Sequence, residues 1–230
     1  MRKERILVWD LPTRFMHWGM ALSFVGAYLT AESERYRDIH VMLGYTLLGL
    51  ILCRVVWGLV GTRYARFKSF LYGPRAVTAY LYGLLRGKPR HYVGHNPAGS
   101  VAIYLLLAVG LLAAGTGYAT YNDSGGDWLG ELHEGVAGFM LGLVFVHIAG
   151  VVVSSWIHRE NLVRSMITGR KTGERREGIR HAHAWLALVL AAAITVFWYQ
   201  GSGNGIAAGL ERASRLAQGE LQHTKNHHDD

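Results

Sequence analysis

Four histidines lie where almost nothing else is polar. His17, His40, His133 and His147 sit inside or at the edge of long apolar blocks. The stretch LHEGVAGFMLGLVFVHIAG carries the last two, fourteen positions apart, and past Glu134 nothing charged separates them. A titratable side chain in such surroundings is expensive and marks a functional position by default. A neutral imidazole can give one ring nitrogen to a metal while the other, protonated, fixes the ring through a hydrogen bond. One such histidine alone reads as a hydrogen-bonded residue at an interface, so the weight falls on how the four are arranged.

The elements that must position them are set by the blocks themselves. Half of the 230 residues are hydrophobic, gathered at 15–31, 41–60, 101–121, 132–157 and 183–199. Each approaches the roughly 17–25 residues needed to cross a bilayer. The expected fold class is an all-α integral membrane protein: a transmembrane helix bundle with a four-helix core and a fifth span, residues 1–200 forming one membrane domain and residues 201–230 a polar, flexible tail. Basic residues ahead of the first block would also suit a cleaved signal peptide. No small-x-small site stands near Ala31, and His17 and Trp18 would be odd in a disposable segment.

The net charge of +8 does not point to nucleic acid, because of where it lies. The 61–100 connection has seven Lys and Arg and no acid, the 158–182 connection is rich in arginine, and the loops at 32–38 and 122–131 are acidic. This is the positive-inside distribution. It predicts a multi-pass protein of the bacterial inner membrane with a cytoplasmic N-terminus, and with the 32–38 and 122–131 loops facing outward. Stretches beginning at Pro74 and at HRENLVRSMITGRK mix basic with apolar residues and are read as amphipathic helices on the inner leaflet. The tail histidines of QHTKNHHDD are read as idle.

On a helix, fourteen residues return the direction to within about 40° and rise about 21 Å, so His133 and His147 share one face at two depths. The opposite face carries Gly135, Gly138 and Gly142, read as the surface on which another helix packs. Topology puts His40 level with His133 at the outer side and His17 level with His147 at the inner side. Each depth then offers two imidazoles from two helices, as a bis-histidine haem requires. Gly44, one turn from His40, leaves room for a porphyrin edge. Arg54, at inner depth, is placed to pair with propionates. Zinc would want four ligands converging on one point. Cys53 is the only cysteine and there is no C-x-x-C-H, so covalent haem attachment is excluded.

The chain resembles the prokaryotic membrane cytochrome b proteins, which include cytochrome b561 and the cytochrome b subunit of nickel–iron hydrogenases. The motifs are VWDLPTRFMHW, HVMLGYTLLGLILCRVVWGLVGTRYARF, GHNPAGS, LHEGVAGFMLGLVFVHIAGV and HRENLVRSMITGRK, and the likeness covers residues 5–200. It implies two non-covalent b haems ligated by histidines of the first, second and fourth spans, where His17, His40, His133 and His147 stand, and electron exchange with the quinone pool. The expected function is a di-haem electron carrier between quinone and a periplasmic cytochrome c, a dehydrogenase or another redox subunit. The alternatives are a superoxide:quinone oxidoreductase of the same fold, disfavoured by the acidic outer loops, and a haem-free membrane anchor or metal transporter.

Overall fold

The computed structural model describes residues 4–201. The chain divides into two units, residues 1–187 and residues 188–230. In chain order the elements are β1 (Glu4–Leu7), α1 (Leu11–Thr30), α2 (Arg37–Val60), α3 (Pro74–Leu85), α4 (Pro97–Tyr121), α5 (Trp128–His158), α6 (Leu162–Thr168), β2 (Arg170–Gly173) and α7 (Ala184–Tyr199). The expected tail at 201–230, with its histidines, lies outside the described residues except for Gly201.

The helices start where the sequence offers a cap and a proline. Asp10 accepts the backbone N–H of Thr13 at 2.8 Å ahead of Pro12, and Asn96 accepts that of Gly99 at 2.7 Å ahead of Pro97. Proline suits a first helical turn because its missing N–H would have no partner there. Asp10 does more than cap. Its second oxygen accepts from Trp57 Nε1 at 3.1 Å and Thr62 Oγ1 at 2.5 Å, which fastens the start of α1 to the end of α2.

The first unit holds a bundle in which α1 packs on α2, α2 on α4 and α4 on α5. Its core is Phe24, Leu47, Ile51, Leu107 and Met140. A second cluster of Ile6, Val8, Trp9 and Tyr64, with Val93, Met166 and Ile179 against it, caps the end where the chain begins. There β1 pairs antiparallel with β2, Ile6 opposite Lys171.

Outside, the pattern inverts. Leu29, Val56, Leu59, Phe139, Phe145, Val146 and Val152 are exposed. Apolar side chains on all sides of long helices are matched by lipid rather than water. Among the described residues three helices are long and apolar enough to cross a membrane, over Glu34–Val60, Pro97–Tyr121 and Trp128–His158. That is fewer than the five spans expected. Helix α1 has 20 residues, but Thr13, Arg14 and His17 occupy its first two turns and shorten its apolar run. Helix α7 has 16, about 24 Å against a hydrocarbon core of about 30 Å.

Two further expectations change. HRENLVRSMITGRK is a helix only over Leu162–Thr168; Gly169, at φ 78°, ends it in the left-handed conformation that glycine tolerates, and the chain turns into β2. The stretch from Pro74 is the helix α3. On α5, Gly135, Gly138 and Gly142 are exposed with nothing within 4 Å of where a side chain would begin, so they pack on no other helix among the described residues. The buried residues of the upper half of α5 are Val136 and Met140, three and seven positions after His133. The imidazole face is itself the packing face.

Candidate functional site

The structure brings the four histidines together in twos. His40 of α2 and His133 of α5 have ring centroids 6.1 Å apart. His17 of α1 and His147 of α5 are 6.4 Å apart. Two metal–imidazole bonds of about 2.0–2.1 Å each, plus the distance from nitrogen to ring centre on both sides, put the centroids about 6 Å apart. Both spacings therefore fit one metal between two rings. Among the described residues no group of three or more His, Cys, Asp or Glu could hold a metal ion; the histidines meet in twos.

Orientation at the His40–His133 level is fixed from behind. His40 Nδ1 donates to Ala27 O at 2.8 Å, and His133 Nδ1 to Ala113 O at 3.0 Å. A carbonyl only accepts, so Nδ1 carries the proton in both rings and Nε2 keeps its lone pair for a metal. Gly117 of α4 makes the approach possible: a side chain there would begin 2.9 Å from His133 Cε1. Gly44, by contrast, has nothing within 4 Å, an opening next to His40 that a single methyl would begin to fill. The sequence reading had Gly44 but not Gly117, because Gly117 matters only through a contact between helices.

The other level is built differently. The sequence places His17 at the inner edge of the first span; in the structure α1 begins at Leu11, so His17 stands almost two turns inside the helix. Helix α5 meanwhile runs 11 residues past His147 into the cap, which accounts for the length left over below that histidine. His17 meets Trp18 edge-on at 5.1 Å, and its Nδ1 is buried without a hydrogen-bond partner. Arg54 is 4% exposed. Its guanidinium lies over the Phe67 ring at 5.2 Å, Nη1 is buried without a partner, and none of the ion pairs among the described residues includes it.

A fifth histidine joins this level. His95 lies between Trp9 and Phe70, with centroids 4.5 and 4.3 Å away, and its Nδ1 is also buried and unpartnered. Burial first, then the charges of Arg54 and Lys171 and the nearby His147 and His17, lowers its pKa to about 3. The ring is neutral at physiological pH. The only sequence signal for it is the motif GHNPAGS, in which no role attaches to the histidine.

What this arrangement can do is hold a flat metal-centred group between two imidazoles at each depth, with buried nitrogens that lack a partner beside one of the pairs. The model of the prokaryotic cytochrome b561 family matches residues 8–169. The chain is 27% identical over 222 residues to a probable Ni/Fe-hydrogenase B-type cytochrome subunit of Rhizobium leguminosarum bv. viciae, covering 77% of this chain and 93% of that one. It is 26% identical to the protein so named in Azotobacter vinelandii, over 73% and 89% of the two chains. It is 28% identical to the probable Ni/Fe-hydrogenase 1 B-type cytochrome subunit of Escherichia coli K12, over 50% and 60%. No solved structure matches the chain significantly. With its apolar helices, its paired imidazoles and a family match spanning most of its length, the chain belongs to the prokaryotic cytochrome b561 family and is a membrane b-type cytochrome of electron transfer.

Proposed function

We propose that the protein carries electrons through two b haems, one between His40 and His133 and one between His17 and His147, and that it links the quinone pool to a redox partner. The observation that supports this most is the pair of imidazole spacings, 6.1 and 6.4 Å, at two depths of one helix. A b haem bound there supplies a one-electron iron couple, and the protein supplies its axial ligands and surroundings. His133 and His147 set the separation, since fourteen residues of α5 rise about 21 Å. The Nδ1 bonds to Ala27 and Ala113 keep His40 and His133 in the tautomer that ligates.

The partner we favour is a dehydrogenase of the nickel–iron hydrogenase kind, because that is the assembly named for the relatives. A periplasmic cytochrome c is the other partner that suits the acidic loops. Pyridine haemochrome analysis of the purified protein gives a b-type spectrum and a haem-to-chain ratio near two. Anaerobic mixing of the reduced protein with a short-chain quinone then oxidises both haems. A ratio near one contradicts the two-site reading, and haems that stay reduced contradict the link to quinone.

A further inference from the structure

The region beside His17 and His147 contains buried polar nitrogens without a hydrogen-bond partner. Arg54 is 4% exposed and is flanked by Phe67, and Phe67 packs on Phe70 at 5.9 Å. His95 packs on Phe70 in turn, at 4.3 Å. Arg54 and His95 thus both line this aromatic pair, and Arg54 Nη1 and His95 Nδ1 both lack a partner. Asp10 is near enough for its charge to act on Arg54, but Asp10 is already engaged by Thr13, Trp57 and Thr62 and forms no ion pair with the guanidinium. A buried, unpaired guanidinium costs several kcal/mol, and a buried donor without an acceptor costs about 1–3 kcal/mol. The charge of Arg54 reaches His95, and two such costly groups near one another call for an anion that completes them.

We propose that Arg54 and His95 form a carboxylate clamp for the propionates of the haem held by His17 and His147, with His95 as the donor that fixes the carboxylate and Arg54 as its counter-charge. This rests on the two-site reading above. It goes further by giving a binding role to a histidine that is not a ligand. Trp9 and Phe70 hold the His95 ring in place, so its N–H is pre-aimed and little side-chain freedom is lost on binding. At the other level the ring nitrogens of His40 and His133 bond to carbonyls, and among the described residues neither histidine leaves a buried nitrogen without a partner. The two haems are therefore tuned by different means. Positive charge and donors beside a propionate favour the reduced haem, which carries one positive charge fewer.

The test is a redox titration of the full-length protein as His95→Phe, His95→Gln and Arg54→Gln, with the His17→Ala variant marking which transition belongs to this level. In His95→Phe and Arg54→Gln that transition alone moves to lower potential, by about tenfold in the reduced-to-oxidised ratio, which is 59 mV for one electron. Haem content stays the same, and His95→Gln, which keeps a side-chain N–H, recovers much of the shift. In apoprotein reconstituted with haem dimethyl ester, which has no carboxylate for the donor to hold, His95→Phe no longer shifts the potential. If His95→Phe loses this haem, His95→Gln and Arg54→Gln carry the test. Unchanged potentials in the substituted proteins overturn the clamp. So does a shift that persists in full with the ester, which assigns the donors to a carboxylate from elsewhere. If His17→Ala removes no transition, the two-site reading fails instead.

Discussion

Gly44 and Gly117 separate two ways in which a glycine serves a cofactor. Adding a methyl at Gly117 brings it 2.9 Å from His133 Cε1, closer than non-bonded carbons come. The ring must shift, and its hydrogen bond to Ala113 with it. Overpacking of this kind costs about 1–3 kcal/mol, so Gly117→Ala lowers both the thermal midpoint and the haem content of the His40–His133 level. Gly44→Ala meets nothing in the protein itself and gains about 1 kcal/mol in helix propensity. Its expected effect is a haem-free chain as stable as before or more so, with lower occupancy at the same level. Haem titration of the two apoproteins checks this; equal affinity for Gly44→Ala and the wild type means that no porphyrin edge lies there. The four candidate histidines were legible in the sequence because an imidazole in an apolar span is conspicuous by its cost. Gly117 and His95 were not, since one matters only through a neighbouring helix and the other sits in a loop among aromatic residues distant in sequence.

The helices could be read from their apolar runs and from the prolines that open them, at Pro12, Pro74 and Pro97. The strand pair could not. Four-residue strands are too short to show alternation, and β1 meets β2 across more than 160 residues. The facing of α5 was misread because small residues were taken as a packing surface, whereas the buried Val136 and Met140 lie on the same side as His133. Asp10 is the element-level anchor. Asp10→Ala removes a cap worth about 0.5–2 kcal/mol and leaves the Trp57 and Thr62 donors without their carboxylate, at about 1.5–3 kcal/mol per bond to a charged group. Thermal unfolding followed at the haem band should show a fall of several degrees, larger than for Asp10→Asn. The join between β2 and the end of α5 responds to pH. Lys171 Nζ meets Glu160 at 3.1 Å and donates to Tyr92 O at 3.3 Å, and His91 lies 3.5 Å from the same carboxylate. Burial alone would raise the pKa of Glu160, but the His91 hydrogen bond and Lys171 outweigh it and lower it from 4.5. A lowered carboxylate pKa stabilises the fold above the unfolded value, and that stability is lost as pH falls through the folded value. The thermal midpoint of Glu160→Gln should therefore lie below that of the wild type at neutral pH, and the gap should close on acidification below about 4.5. A gap that is constant with pH means the pair contributes no net stability.

The whole molecule combines a lipid-facing exterior with loops of opposite charge. Glu32, Glu34, Asp38, Asp123, Asp127 and Glu131 are all exposed, and they lie at the end of the bundle nearer His40 and His133. Such a surface draws a basic partner and repels an anion, and salt weakens both effects. Replacing Glu32, Glu34 and Asp38 with Gln, Gln and Asn should slow electron exchange with a basic cytochrome c about tenfold at low ionic strength and accelerate reduction by superoxide. Stopped-flow traces at the haem band report both rates, and fast superoxide reduction of the unmodified protein would favour a superoxide:quinone oxidoreductase. The charge asymmetry was visible in the sequence, as was the pairing of depths. The cap that carries α5 past His147 was not, because it depends on β1 and β2 meeting. The account stands on which histidines share a haem, and one measurement addresses that directly: optical redox titration of His17→Ala, His40→Ala, His133→Ala and His147→Ala. We predict that His17→Ala and His147→Ala each lose the same transition, and that His40→Ala and His133→Ala each lose the other. Loss of a common transition in His17→Ala and His40→Ala would contradict the two-level arrangement.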